Sequence, residues 1–449
     1  ELAASDPNGP LRPFYEQLLT VDGGGLPGEM DVLNVDSLPG EPDSGTLTDR
    51  LLTGLGLGTG IAYEQLEVLN LRLGETANTF TVVSTHAGET NLFTEGDDDD
   101  VNIRSIAGPT TVDTGDDDDT IHVGSLAPAT GGTLNSILDS LAVRGGGGSD
   151  VLNLDDTGDP ASSTGNLTAS SISGLGMSEG ITYETLEDLN IRLGSGGDRF
   201  TIADTHGGET MLDSGGGSDR VDVLATSGST TVNAGDDPDT VNVQTIGAAT
   251  AVNTGSGEDT INVGSLSPAG GGALNAIDAL LTVHGDDDSD TLNVDDTGDP
   301  APNTGRLTST TITGLGMQDG IVYGTLELLN IGLGSGGDTF TIAGTHAGTT
   351  NVTTDGDDDT VNVQATSGPT TVDTGAGNDT VNVSSDAPVN NGTAQNLLGL
   401  LTIETGADVN TLNVSDEANG GPRTVVITGT AIIGLAPVEI RYAATGGTL

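Results

Sequence analysis

The amino-acid sequence predicts an all-β chain: a right-handed parallel β-solenoid (a β-helix or β-roll) with coils of about 20 residues and short flanking helices. Three observations lead there. Long segments recur along the chain, a shorter repeat runs inside them, and alternating Val/Ile/Thr runs are closed by turns of Gly, Asp and Asn.

The long copies come first. "VLNLDDTGDP" (151–160) returns as "TLNVDDTGDP" (291–300), with weaker copies at 32–40 and 411–420. "YETLEDLNIRLGSGGDRFTIADTHGGET" (183–210) matches segments 63–90 and 323–350. The last acidic residue before each strand marks the shorter repeat. In the middle of the chain the markers are Asp150, Asp198, Asp219, Asp239, Asp259 and Asp290, spaced by 48, 21, 20, 20 and 31. The following series, Asp290, Asp338, Asp359, Asp379 and Asn410, is spaced by 48, 21, 20 and 31. The preceding one, Asp31, Asn78, Asp99, Asp119 and Asp150, is spaced by 47, 21, 20 and 31. The middle series therefore holds one extra unit, an insertion that a stacked coil tolerates and a closed domain does not. The expected organisation is an N-terminal partial repeat or cap (1–30), module 1 (31–149), module 2 with one extra coil (150–289), module 3 (290–409) and a partial fourth module or C-terminal end (410–449).

Each short unit reads strand, turn, strand, turn, as in "TTVDTGAGNDTVNVSS" (370–385). β-branched residues suit the pleated surface, and Gly, Asp and Asn accept the positive φ of tight turns. The 31-residue intervals carry "LNSILDSL" (134–141), "LNAIDALL" (274–281) and "QNLLGLL" (395–401), whose apolar residues can share a helical face. Short helices on the flank are expected there. The 48-residue intervals are expected to hold about two larger coils. Phe80, Phe200 and Phe340 are equivalent, as are Tyr63, Tyr183 and Tyr323, which points to core packing.

Composition narrows the function. The chain has 67 Asp+Glu against 11 Lys+Arg, a formal charge of −56. That balance argues against nucleic acid and anionic membranes as partners, both of which need basic patches. There is no cysteine, hence no disulfide framework and no thiolate metal site. No apolar run is long enough to span a membrane as a helix.

The acidic turns fall one above another at the 20-residue period. Carboxylates at about 4.8 Å, the strand spacing, repel by roughly 1 kcal/mol in water and by more where water is scarce. A bound divalent cation reverses that effect. Carboxylates and turn carbonyls are hard oxygen donors that select Ca²⁺ over Zn²⁺ or copper. The candidate metal ligands are Asp97, Asp99, Asp117, Asp119, Asp150, Asp198, Asp219, Asp237, Asp239, Asp259, Asp290, Asp338, Asp357, Asp359 and Asp379. Gly115, Gly235, Gly255 and Gly375 are expected to shape the turns, with Asp116 and Asp118 facing water.

"GGGGSDVLNL" (145–154) matches the nonapeptide G-G-x-G-x-D-x-U-x, and "TGSGEDTINV" and "TGAGNDTVNV" match it in part. These segments resemble the hemolysin-type (RTX) repeats of large bacterial secreted and surface proteins. The resemblance implies Ca²⁺ shared between turns of adjacent coils, through Asp carboxylates and turn carbonyls. Here the unit is slightly longer than a pair of nonapeptides, and only one of its two turns carries acid.

An enzyme is not expected. A hydrolase needs one opposed pair of carboxylates in a cleft, whereas these acids recur in every unit. His86, His206 and His346 recur once per module and read as structural turn residues. The expected function is a calcium-stabilised structural repeat of the extracellular space or cell surface: a rigid spacer, filament subunit or adhesin stalk. The expected partners are calcium ions, further copies of the chain or repeat end to end, and surface glycans. The alternative is a carbohydrate-binding or carbohydrate-cleaving β-helix.

Overall fold

The computed structural model describes residues 18–24, 30–37 and 44–444, which form forty strands and no helix. Most of the expected N-terminal cap lies outside the described residues. The chain divides into two compact units, Glu1–Gly217 and Ser218–Leu449.

In each unit the strands are mostly parallel and pair at the sequence repeat. In the first unit, Thr79–Val82, Asp100–Ile103, Thr120–Val123 and Val151–Asp155 stack in one sheet. Val68–Arg72, Glu89–Phe93, Thr110–Asp116 and Leu141–Gly147 stack in the other. The second unit repeats the plan, with Thr240 opposite Thr260 and Val361 opposite Val381. Register follows from the side-chain alternation, because a one-residue slip would turn every apolar residue outward. Ile121, Val123, Val361 and Val363 are essentially fully buried; between them His122 is half-covered, and Asn362 is buried among its neighbouring polar side chains. On the outward side, asparagines form amide ladders. Asn70 donates to Asn34 (2.7 Å) and Asn91 to Asn70 (2.9 Å); Asn293 donates to Asn262 (2.9 Å) and Asn330 to Asn293 (2.8 Å). The aromatic residues sit in the core as expected. Phe80, Phe200 and Phe340 are at most 1% exposed. The Tyr183 and Tyr323 hydroxyls donate to the Thr168 and Thr308 carbonyls (2.6 and 2.7 Å).

Two expectations need correction. The 48-residue intervals do not hold two larger coils. Each folds part of its length into an antiparallel three-strand meander inserted in one sheet. Thr164–Thr168 pairs antiparallel with Ser171–Gly174, which pairs antiparallel with Ile181–Glu184. The outer strands of this meander join the parallel stack: Ile181–Glu184 lies beside Leu141–Gly147, and Thr164–Thr168 beside Arg199–Ile202. Meanwhile the other sheet passes straight from Val151–Asp155 to Asp188–Arg192. Thr304–Leu307, Thr311–Gly314 and Ile321–Gly324 repeat the arrangement, as do Ser44–Leu47, Leu51–Gly54 and Leu57–Glu64.

The expected flanking helices at 134–141, 274–281 and 395–401 are turns instead. Such short segments cannot offset the cost of helix nucleation, and the neighbouring coil offers better partners. Ile106 N–H donates to the Ser136 carbonyl, and Leu138 N–H donates back to Ile106 (both 3.1 Å). Leu134, Ile137 and Leu141 are fully buried, while Leu138, which a helix would place beside Leu134, is 53% exposed. Ile137→Ala is therefore expected to cost about 2–5 kcal/mol and Leu138→Ser to stay within about 0.5 kcal/mol, as measured by urea unfolding. Equal losses from both variants would restore the helical packing.

Candidate metal centre

The fifteen aspartates singled out as candidate ligands fall into two groups. Asp97, Asp117, Asp237 and Asp357 are exposed at turn tips with positive φ (68°, 76°, 75° and 70°). The other eleven are at most 4% exposed. Gly115, Gly235, Gly255 and Gly375 do adopt positive φ (102°, 108°, 92° and 68°), and Asp116 and Asp118 do face solvent.

The buried aspartates form a ladder. Ten of the eleven place Oδ1 on the peptide N–H of a residue just before a strand in an adjacent coil. In the first unit Asn78 donates to Asp99 (2.7 Å), Asp99 to Asp119 (2.8 Å) and Asp119 to Asp150 (3.1 Å). The run ends when Asp150 N–H donates to Glu187 Oε2 (2.8 Å). In the second unit Asp219 donates to Asp239 (2.7 Å), Asp239 to Asp259 (2.7 Å), Asp259 to Asp290 (3.0 Å) and Asp290 to Glu327 Oε2 (2.9 Å). A second run there begins at Asn303, which donates to Asp338 (2.6 Å). It continues from Asp338 to Asp359 (2.7 Å) and from Asp359 to Asp379 (3.0 Å), and closes on Asn410 Oδ1 (2.8 Å). Asp198 accepts from Ser163 N–H (2.7 Å). Each bond satisfies a buried amide at a turn where the sheet offers no carbonyl, and hydrogen bonds to a charged acceptor are the stronger kind.

The second oxygen is different. Oδ2 of Asp99, Asp119, Asp150, Asp239, Asp259, Asp290, Asp338 and Asp359 is buried and accepts no hydrogen bond. The hydroxyls of Thr94, Thr114, Thr254 and Thr354 lie near enough to Asp99, Asp119, Asp259 and Asp359 to offset part of the effect of burial, but they donate to carbonyls: Thr94 to Thr114 (2.9 Å), Thr114 to Gly145 (2.9 Å), Thr254 to Gly285 (3.0 Å) and Thr354 to Thr374 (3.1 Å). Asp379 is the exception, because Thr374 donates to its Oδ2 (2.6 Å). Space around these oxygens is tight. A Cβ on Gly145 would lie 2.4 Å from Asp150 Oδ2, and one on Gly285 the same distance from Asp290 Oδ2.

Burial without a second partner favours the neutral acid. It pushes the Asp239 carboxyl up to about 8 and that of Asp119 to about 7. Asp99, Asp150, Asp290 and Asp359 rise to about 6, and Asp198, Asp259 and Asp338 are also raised. For most rungs, repulsion from neighbouring carboxylates adds to the effect of burial.

These oxygens suit a hard cation in chemistry and in their lack of partners. Among the described residues, however, no three acidic or histidine side chains converge into a ready-made cage. Any ion held here would complete its shell with oxygens beyond the buried column. The sequence reading missed Glu67, Glu187 and Glu327, which supply the terminal carboxylates of ladder runs; Glu67 accepts from Asp31 N–H (2.7 Å). Their signal was the recurrent Leu-Glu of "EQLEV", "ETLED" and "GTLEL". It also missed the buried Asp156 and Asp296, which cap the turns at Leu134 and Leu274 N–H (2.8 and 2.9 Å).

Fold and ladder together define a repetitive parallel β-chain of solenoid type with a buried carboxylate column. Comparison with protein-family models and with curated proteins gave no match.

The sign of the pH dependence follows. Folded carboxyls raised above their unfolded value near 3.8 contribute stability that is complete below that value and is lost as pH rises through about 6 to 8. Without metal, the protein is expected to melt at a lower temperature at pH 8 than at pH 5. Asp239→Asn keeps an acceptor for the Asp219 N–H, as Asn410 does for Asp379, and is expected to flatten this dependence. A metal-free melt that rises steadily from pH 5 to pH 8 would contradict the assignment.

Proposed function

We propose that the chain is a calcium-stabilised structural repeat of the extracellular space or cell surface, acting as a rigid spacer, filament subunit or adhesin stalk without enzymatic activity. In this proposal the solenoid is right-handed, and its coil length is the short period of the sequence repeat. The observation that carries it is the column of buried Oδ2 atoms with no hydrogen-bond donor. Leaving an ionised carboxylate oxygen buried and unpartnered is costly, and a proton or a cation removes that cost. At the near-neutral pH of most extracellular fluids, a Ca²⁺ ion supplies the neutralising charge without a proton. The buried rungs would provide Oδ2 donors. Exposed Asp97, Asp117, Asp237 and Asp357, or turn carbonyls, would complete the oxygen set that Ca²⁺ prefers.

Ca²⁺ that binds only the stacked turns stabilises the folded chain by mass action. The acids recur at every rung, which fits a load shared along a scaffold rather than one catalytic pair. Surface glycans and further repeats end to end remain the proposed partners.

Thermal melts in EDTA and in millimolar CaCl₂ at pH 7.5 provide the test. The expected result is a melting temperature that rises with calcium and far less with magnesium. A melt indifferent to both EDTA and calcium would remove calcium from the structural role.

A further inference from the structure

Segments 124–135, 264–275 and 384–395 are matched copies of one long turn, and the third departs from the other two. Leu126 and Leu266 give way to Asp386, and Gly131 and Gly271 give way to Asn391. The glycine that follows is kept, as Gly132, Gly272 and Gly392. In the first two copies its N–H donates to a carboxylate of a later coil, Gly132 to Asp155 Oδ2 and Gly272 to Asp295 Oδ2, both at 2.7 Å. Ser415 stands where those aspartates are, and Gly392 N–H donates to Asp386 Oδ1 instead, also at 2.7 Å.

Asp386 also accepts from the Ser384 hydroxyl (2.7 Å) and from Asn391 N–H (3.3 Å). The Ser384 bond first, then those from Gly392 and Asn391, hold its carboxyl below the usual range, so it is ionised at neutral pH. A Cβ on Gly392 would lie 2.6 Å from Asp386 Oδ1, so packing alone demands glycine there. Packing does not demand the asparagine. Asn391 is exposed, as Gly131 and Gly271 are in their own copies. Its side chain makes no hydrogen bond to the described residues. An asparagine followed by glycine is the least hindered setting for attack of a main-chain nitrogen on the side-chain amide, because the attacking residue carries no Cβ.

We propose that Asn391 is a site of self-modification, at which its side-chain amide is lost to the Gly392 nitrogen with Asp386 as general base. The Asp386 carboxylate takes the Gly392 amide proton, across a distance within the reach that a general base requires. The freed nitrogen attacks Asn391 Cγ. The Cγ–Nδ2 bond breaks, the leaving nitrogen takes the proton back from Asp386, and ammonia departs. A five-membered imide then joins the two residues, and water opens it at one carbonyl or the other to leave aspartate or isoaspartate. The product adds a negative charge beside Asp386. In the isoaspartate form it also lengthens the main chain of a turn that the Gly392 carbonyl ties to Ala418 N–H (2.9 Å). Asn419–Gly420 is the internal comparison, because Asn419 Nδ2 donates to Asp416 Oδ2 (3.0 Å) and that amide is held in place. The proposal does not depend on calcium.

The test incubates the full chain at pH 7.5 and follows Asn391 and Asn419 by peptide mass spectrometry, with aspartate and isoaspartate resolved by chromatography. The free peptide "VNNGTAQ" (389–395) supplies the unassisted rate. Asn391 in the folded chain is expected to convert at least as fast as in that peptide, and about tenfold or more faster than Asn419. Asp386→Leu, which restores the residue of the other two copies, is expected to slow Asn391 about tenfold with the melt unchanged. Asp386→Asn keeps an acceptor for Gly392 N–H without the charge and is expected to slow it equally. The proposal is overturned if Asn391 stays intact while the free peptide converts, or if Asn419 converts as fast. It is also overturned if the two Asp386 variants leave the rate unchanged or raise it.

Discussion

A carboxylate with one oxygen bonded and the other bare is the constraint around which the fold is arranged. The Oδ1 bonds fix the turn amides of one coil to the side chain of the next, so rung spacing, register and turn geometry are set together. The bare Oδ2 atoms make the same device conditional on something that neutralises charge. A net charge of −56 makes that condition more demanding, since long-range repulsion acts in the same direction.

The meander gives the stack its modular character. It adds an antiparallel turn-back to one sheet while the other continues unbroken, and the ladder is interrupted at the same place. Glu327 ends one run, and Asn303 with Asp338 opens the next. A proton or ion gained in one run therefore acts on a limited set of coils. The extra 20-residue unit between Asp219 and Asp259 lengthens a run without altering how it ends.

Much of this was legible in the residues. The short marker spacings become the pairing registers, alternating Val/Ile/Thr runs become strands, and the equivalent phenylalanines become core. Three things were not. Apolar spacing in "LNSILDSL" fits a helix and a turn equally well, and only the partner at Ile106 decides between them. The meander was hidden because its strands carry the same alternation as the parallel ones; the direction of pairing is a tertiary property. The role of each carboxylate as acceptor for the preceding rung was hidden for the same reason. A repeat reveals that acids stack, but not that a main-chain N–H lies between them.

The central claim is that the buried rungs with a bare Oδ2 hold either a proton or a cation. Calorimetric titration of calcium into metal-free protein at pH 7, in buffers of different ionisation enthalpy, tests it most directly. A carboxyl raised to about 7 or 8 is partly or largely protonated there, so calcium must displace protons. The account predicts a heat that changes with the buffer in proportion to protons released, and loss of part of that release in Asp239→Asn. Calcium binding with no proton release, or no binding at all, would contradict it.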